Sequence, residues 1–142
     1  LDARRATPDE EINTENGRWL YANKPLTDTH KAERLSVRDV MRFSSNIGTA
    51  KLALRFSRRE QFEALRDFGF GSYTGVPYPA ESRGALPLPH TWQEVTATRI
   101  PIGYGMSATP VQLAAAYAAI ANGGELLQPA LVREVRDAQG HV

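Results

Sequence analysis

The segment MRFSSNIG, residues 41–48, places two serines and an asparagine between segments with helical apolar spacing. The hydroxyl of Ser44 can both donate and accept a hydrogen bond, and Asn46 offers two amide donors and one carbonyl acceptor. Such groups are useful in an active site. They are equally common at a helix start, where a side-chain oxygen accepts from a backbone N–H. The triplet alone leaves both interpretations open.

A glycine loop is the second candidate. Residues 103–108, GYGMSA, fit the G-x-G-x-x-A dinucleotide fingerprint, and Glu125 lies downstream of it. In that fingerprint a helix opens within the glycines and its first amides hold the pyrophosphate. Here Pro110 delays the helix and Pro101 interrupts the preceding strand. We therefore interpret the loop as a tight backbone turn that approaches a neighbouring segment.

The histidines and cysteines provide no further chemistry. His30, His90 and His141 lack H-x-x-x-H and H-E-x-x-H partners, there is no cysteine, and no G-x-S-x-G motif is present. We expect the histidines to be surface or turn residues. The sequence therefore predicts neither a metal site nor a cofactor.

Composition bounds the remaining function classes. A chain of 142 residues, 42% hydrophobic and 23% charged, is the size of one globular domain with a core. The net charge is +1, and the tightest basic group, Arg55 with Arg58 and Arg59, is too short for a nucleic-acid interface. No apolar run approaches the roughly 20 residues of a membrane span. Since the N-terminus shows neither Met nor a signal peptide, we expect a longer parent protein.

The first part of the chain shows patterns of short strands and helices. Residues 1–16 are polar and predict an irregular segment, whereas GRWLYANKPLT, residues 17–27, predicts a short hairpin turning near Asn23. Ser36 precedes a helical pattern that continues, after an interruption at the serine pair, to about Leu54. We expect two helical segments separated at the triplet.

Two further helix starts have capping-box spacing, in which a hydroxyl and a carboxylate exchange hydrogen bonds with backbone amides. Ser57 with Glu60 opens one helix, and Thr91 with Glu94 predicts a short helix to about Thr98.

The clearest helix start is Thr109 with Pro110 at the first helical position and Gln112 at the third. The helix should run to Asn122, with Gly123 as its left-handed cap. Because VQLAAAYAAIA is apolar nearly all the way round, we expect it to be buried on most sides.

The other segments are loop and strand. Residues 71–90 are rich in proline and glycine and predict a long structured loop. Residues 131–136 alternate and predict a strand that enters a hairpin with its turn over 137–140.

Several motifs stand in one order along the chain. An L-S-V stretch precedes S-x-N, and a glycine loop precedes T-P-x-Q-L-A and A-N-G-G; these are residues 35–37, 44–46, 103–105, 109–114 and 121–124. In this order they resemble the transpeptidase domain of class B penicillin-binding proteins, over about residues 11–136.

The resemblance implies a fold class, mainly α with short β-hairpins, as the helical subdomain of the α+β serine β-lactamase/transpeptidase-like fold. It implies that 1–142 is a single fragment of a transpeptidase domain. Residues 1–30 are irregular with a short hairpin, 36–124 hold the helical part with the 71–90 loop, and 128–142 form a strand or hairpin.

The resemblance also implies a function for the parent protein, which is acyl transfer by a serine enzyme that cross-links peptidoglycan stem peptides ending in D-Ala-D-Ala. β-Lactams would be covalent mimics of that substrate. Other cell-wall synthesis proteins would be partners of the parent protein. The parent would act at the extracytoplasmic face of the cytoplasmic membrane. No nucleic acid or cofactor is implied. Within the motif, Ser44 is similar to the residue that relays a proton to the leaving amine. Asn46 is similar to the residue that positions the catalytic lysine and the substrate amide, and Ser45 would pack or cap.

Two motifs of the family are absent from this sequence. No serine opens S-x-x-K and no lysine opens K-T-G. We expect the first upstream of Leu1 and the third downstream of Val142, so the chain alone should be inactive, since it lacks the nucleophile and its base. Without its neighbours, the alanine-rich helix should expose an apolar surface and favour self-association. Two alternatives remain: a non-catalytic binding or scaffold module with the same fold, and an unrelated helical nucleotide-binding domain.

Overall fold

The computed structural model describes residues 5–137 and 139. Contacts divide the chain into two compact units, the first comprising Leu1–Glu63 with Pro87–Met106 and the second Ala64–Leu86 with Ser107–Val142. The length of the chain predicts one domain, whereas each of these units is assembled from two separate stretches of chain.

A two-stranded antiparallel sheet opens the first unit. Strand β1, Glu11–Asn13, pairs with β4, Arg34–Ser36, so that Ile12 lies opposite Leu35. Both of these side chains are buried. The expectation of an irregular segment over 1–16 is therefore wrong at β1. A three-residue strand shows little alternation, and this one is held by a partner more than twenty residues away in the sequence.

The predicted hairpin is present. Strands β2, Arg18–Tyr21, and β3, Lys24–Thr27, pair antiparallel through a two-residue connection. Ala22 and Asn23 have φ of +46° and +59°. Positive φ at both central residues is typical of the tight turn whose twist matches that of the paired strands.

Two short helices follow and are separated at the serine pair, as predicted. Helix α1, Val37–Arg42, begins after Ser36, whose hydroxyl accepts from the Asp39 amide at 3.1 Å. Helix α2 spans Asn46–Ala53 and begins after Ser45.

Helix α3, Arg58–Asp67, begins at a capping box, which confirms that prediction. The Ser57 amide donates to the Glu60 carboxylate at 2.7 Å, and the Glu60 amide donates to the Ser57 hydroxyl at 3.2 Å. Gly69, with φ +89°, follows the end of the helix, where a left-handed residue terminates the helical hydrogen bonding.

The core of the first unit consists of two clusters, in which helices α1 and α2 cover the two small sheets. The buried members are Ile12, Leu35 and Val40 in one cluster and Leu26, Ile47 and Ala50 in the other. Gly48 allows α1 and α2 to approach closely, because a Cβ there would lie 2.9 Å from Cγ1 of Val40 and closer still to Cγ2.

The helix predicted to start at Thr91 is wrong. Thr91 instead ends a 3₁₀ turn, Pro89–Thr91, and its hydroxyl donates to the Leu88 carbonyl at 2.7 Å. The buried Trp92 is extended, with φ −74° and ψ 126°, so no helix passes through it. Helix α4 is limited to Thr96–Arg99.

The second unit is built around helix α5, Pro110–Ala121, whose start is the predicted capping box. The Thr109 hydroxyl accepts from the Gln112 amide at 3.1 Å, and the Gln112 side chain accepts from the Thr109 amide at 2.9 Å. Gly123, with φ +90°, follows the helix end as expected.

The fully buried Gln112 also organises the loop packed on α5. Its Nε2 lies 2.7 to 3.3 Å from the carbonyl oxygens of Gly69, Ser72 and Arg83. One side chain therefore satisfies carbonyls at three points of a segment that is neither helix nor strand, apart from a single bridge between Ala85 and Ser107.

Burial of α5 on most sides is wrong. The buried helix face is a stripe formed by Gln112, Ala116 and Ala119. Other large apolar side chains of the helix are exposed: Val111, Leu113, Tyr117 and Ile120. The sequence shows only that every face of the helix is apolar, and it does not show which face packs against the rest of the unit.

The strand predicted over 131–136 is also wrong. Residues 128–137 contain no strand, and Leu131, Val132 and Val135 are exposed. Alternation creates a strand only where another strand supplies the ladder, and none pairs with this segment among the described residues. The predicted hairpin turn over 137–140 lies partly outside those residues. Within them, no helix is long and apolar enough to cross a membrane.

Candidate functional site

The S-x-N triplet lies at the break between α1 and α2. The backbone of Ser44 is left-handed, with φ +52°, and this reversal ends α1 and redirects the chain into α2. The amide of Ser44 donates to Met41 at 3.2 Å and that of Ser45 to Val40 at 2.9 Å. The side chain of Ser44 is exposed, and its hydroxyl has no hydrogen-bond partner among the described residues.

Ser45 is the structural member of the triplet. It is buried and caps α2, with its hydroxyl accepting from the Gly48 amide at 2.9 Å. The same hydroxyl donates to the Asp28 carboxylate at 2.5 Å, and Asp28 also accepts from the Ile47 amide at 3.0 Å. Asp28 is itself buried. The break is therefore fixed by a carboxylate that reaches it from the end of the β2–β3 hairpin.

Asn46, the first residue of α2, is half-buried. Its Nδ2 donates to the Thr27 carbonyl at 3.0 Å, which ties the triplet a second time to the hairpin. The side-chain Oδ1 has no hydrogen-bond partner among the described residues. Asn46 thus retains one N–H and one carbonyl for a ligand.

A surface pocket of about 460 Å³ opens beside Asn46. It is lined by Pro25, Leu26, Thr27, Asn46, Arg99 and Tyr104. The hairpin, the first turn of α2 and the segment after α4 therefore meet at one concave surface. Sequence spacing brings Ser44 and Asn46 together, but it gives no indication of Asp28 or Arg99, which lie far from the motif in the chain.

The histidines take positions that the sequence predicts in part. His30 is exposed and stacks on Phe43, the residue before Ser44, with 4.0 Å between ring centroids. His90 is exposed in a 3₁₀ turn, and His141 lies outside the described residues. No group of three metal-ligating side chains occurs within the described part of the chain.

The glycine loop is a turn, as interpreted, but it makes no close approach. Gly103 and Gly105 have φ of +90° and +78°, yet a Cβ added to either would meet nothing within 4 Å. The left-handed conformation, rather than the lack of a side chain for packing, is what glycine supplies here. Helix α5 begins only at Pro110, so it does not open within the glycines as the helix of the dinucleotide fingerprint does.

Two carboxylates outside the triplet have lowered pKa values, one in an ion pair and one in a loop contact. Hydrogen bonds from the Arg55 guanidinium lower the pKa of Glu10. The pKa of Glu81 is lowered by hydrogen bonds from the Thr74 hydroxyl and amide. Each contact holds two segments together, so we assign these carboxylates a structural role.

Comparison with known proteins decides the family. The model for the penicillin-binding protein transpeptidase domain matches residues 1–142. The chain belongs to that family. Its membership excludes the alternative of an unrelated nucleotide-binding domain.

Individual relatives support the family assignment, and each is much longer than this chain. The "Probable peptidoglycan D,D-transpeptidase PenA" of Neisseria meningitidis is 32% identical over 140 residues, which is 99% of this chain and 24% of that protein. Penicillin-binding protein PbpB of Mycolicibacterium smegmatis is 39% identical over 124 residues, 87% of this chain and 18% of that protein. The chain thus spans about a quarter or less of these relatives.

Solved structures agree with the fold. The transpeptidase domain of Burkholderia pseudomallei penicillin-binding protein 3 is similar with a TM-score of 0.89 at 34% identity, over 99% of this chain and 42% of that one. Penicillin-binding protein 3 of Mycobacterium tuberculosis, solved in complex with aztreonam, gives 0.84 at 31% identity, over 95% and 30%. Helices with short sheets, as predicted, are therefore the fold of this part of the family.

Proposed function

We propose that this chain supplies the S-x-N wall of the active site in a serine D,D-transpeptidase that cross-links peptidoglycan stem peptides. The observation that carries the proposal is the family match over residues 1–142, because it includes the triplet and the elements around it. The nucleophile and the K-T-G strand would come from other parts of a longer protein, since neither motif occurs in this sequence.

Within this proposal, Ser44 relays a proton between the catalytic lysine and the leaving amine. Its support is the exposed hydroxyl without a partner among the described residues, on a backbone fixed by two amide hydrogen bonds. Asn46 positions the lysine and the substrate amide through the N–H and carbonyl that the Thr27 contact leaves unused.

The broader setting follows from the same proposal. The chain would be the helical subdomain of the α+β serine β-lactamase/transpeptidase-like fold. D-Ala-D-Ala stem peptides and β-lactams would be its ligands in the longer protein, and other cell-wall synthesis proteins its partners. It would act at the extracytoplasmic face of the cytoplasmic membrane.

Two measurements test the proposal. The 142-residue chain alone should form no covalent adduct with a fluorescent penicillin, because it lacks the nucleophile. In the longer protein, Ser44→Ala should slow acylation by about 100-fold or more, the usual contribution of a positioned proton-transfer group. Ser72→Ala, at an exposed serine outside the motif, is the matched control and should leave the rate unchanged.

Stoichiometric labelling of the isolated chain would show that the nucleophile is within it and would overturn the division of roles. An unchanged acylation rate in Ser44→Ala would overturn the relay.

A further inference from the structure

The two residues after Ser44 are held by the segment that follows strand β3. The Asp28 carboxylate accepts a hydrogen bond from the Ser45 hydroxyl, and the Thr27 carbonyl accepts one from the side chain of Asn46. These contacts fix the chain on one side of Ser44. The other side of Ser44 is held by a different kind of contact from the same segment.

The residue before Ser44 is held by aromatic stacking. The imidazole of His30 stacks on the ring of Phe43, with 4.0 Å between the ring centroids and 11° between the ring planes. The guanidinium carbon of Arg42 lies 5.1 Å from the centroid of the same ring. Phe43 is 36% exposed and belongs to neither core cluster of the described residues, so these two groups rather than the core hold its ring.

The conformation of Ser44 depends on both of its neighbours being fixed. Its φ of +52° lies in the left-handed region, which a residue with a Cβ rarely adopts. Such a conformation persists where the surrounding structure leaves the chain no easier path. Here the residue after Ser44 is anchored by hydrogen bonds and the residue before it by the stack. Loss of the stack would free the Phe43 side and allow Ser44 to leave this conformation.

We propose that His30 is a positioning residue for Ser44. Its ring holds Phe43 and thereby keeps Ser44 in the left-handed conformation in which the hydroxyl is exposed. The inference rests on the proposed function, since it assigns a support to the hydroxyl that relays the proton. The face of the aromatic ring carries this role, so another aromatic side chain at position 30 should replace the histidine.

Acylation of the longer protein by a fluorescent penicillin tests the proposal. The limiting acylation rate constant and the penicillin concentration at half-maximal rate are measured separately. His30→Ala should lower the rate constant about fivefold, the factor that corresponds to loss of one aromatic stacking contact at 25 °C. The half-saturating concentration should stay unchanged, because a relay hydroxyl acts in the chemical step rather than in binding.

Variants separate this role from a general effect on folding. His30→Tyr keeps an aromatic ring and should retain the rate. Phe43→Leu removes the same stack from its other ring and should slow acylation as His30→Ala does, which supplies the comparison even where His30→Ala does not fold. His90→Ala is the matched control, since His90 is an exposed histidine in a 3₁₀ turn away from the triplet, and it should leave the rate unchanged.

A double variant tests whether His30 acts through Ser44. In a protein that already carries Ser44→Ala, His30→Ala should slow acylation by less than about twofold, because the hydroxyl that the stack positions is gone.

Each outcome has a distinct meaning. Wild-type rates in both His30→Ala and Phe43→Leu, with Ser44→Ala slowed, would overturn the role of His30 and leave the proposed function intact. A fivefold effect of His30→Ala that remained in the Ser44→Ala protein would also overturn it, since His30 would then act independently of Ser44. An unchanged rate in Ser44→Ala alone would overturn the relay itself, and this inference with it.

Discussion

Replacing Asp28 by alanine should destabilise the first unit more than any change to an exposed carboxylate. Asp28 accepts from the Ser45 hydroxyl at 2.5 Å and from the Ile47 amide at 3.0 Å, and it is only 7% exposed. Asp28→Ala leaves the buried Ile47 amide without an acceptor and removes the contact that orients the cap of α2.

The magnitude follows from these two contacts. A hydrogen bond to a charged group contributes about 1.5–3 kcal/mol. Removing Asp28 also recovers the free energy of desolvating its carboxylate, so the lower end of this range applies to each bond. For the two bonds together we expect the free energy of unfolding to fall by about 3 kcal/mol. Asp28→Asn keeps a side-chain carbonyl for the Ile47 amide and should lose about 1 kcal/mol.

Urea denaturation followed by circular dichroism at pH 7 measures these losses, provided that the m value is unchanged among variants. Asp9→Ala is the matched control, because Asp9 is 88% exposed and its contact to Arg38 is 3.5 Å long, so it should change stability by less than about 0.5 kcal/mol. Equal midpoints for Asp28→Ala and Asp9→Ala would refute the reasoning that a buried carboxylate fixes the helix break.

Three further results are expected. Gln112→Ala should lower the free energy of unfolding by about 2–4 kcal/mol, because it leaves several backbone carbonyls of the second unit without their donor. Limited proteolysis should then cut the 71–86 loop faster than in the wild-type chain. Contacts from Thr74 lower the pKa of Glu81 in the folded chain, so their stabilisation is present at neutral pH and is lost as pH falls through the folded pKa. Stability differences between the wild-type chain and Glu81→Gln that did not change as the pH was lowered from neutral through this transition would contradict the expectation. Ile120 is 57% exposed on α5 and should contribute to self-association of the chain at high concentration. In sedimentation velocity, Ile120→Lys should weaken this self-association and Ala118→Lys should not, whereas a monomeric profile of the wild-type chain would contradict the expectation.

Features that depend on neighbouring residues in the sequence could be predicted. The predicted caps at Ser57 and Thr109 each involve a partner three residues away, and both are present. The hairpin turn at Asn23 is equally local. The wrong prediction of a helix start at Thr91 shows the limit of such spacing. Its hydroxyl donates to the carbonyl of Leu88, three residues earlier, instead of accepting from a backbone amide three residues later.

Features that depend on distant partners could not be predicted. Strand β1 exists because β4 pairs with it, and the segment 131–136 lacks such a partner among the described residues. The same limit applies to the site. The sequence indicates Ser44 and Asn46 through their motif, whereas Asp28 is recognisable only once folding buries its carboxylate against Ser45.

Ser44 has a left-handed backbone that glycine adopts without steric cost and that a residue with a Cβ adopts against its preference. A glycine at this position would adopt the left-handed conformation at a conformational free energy lower by an amount on the order of 1 kcal/mol, but it would carry no hydroxyl. The chain accepts local strain at the one member of the triplet whose side chain is exposed, while the buried Ser45 caps a helix in an ordinary extended conformation. If Ser44 is the proton relay that we propose, strain and exposure at this residue represent a loss of folding stability in exchange for a hydroxyl placed where it can react, whereas the neighbouring Ser45 carries no such strain.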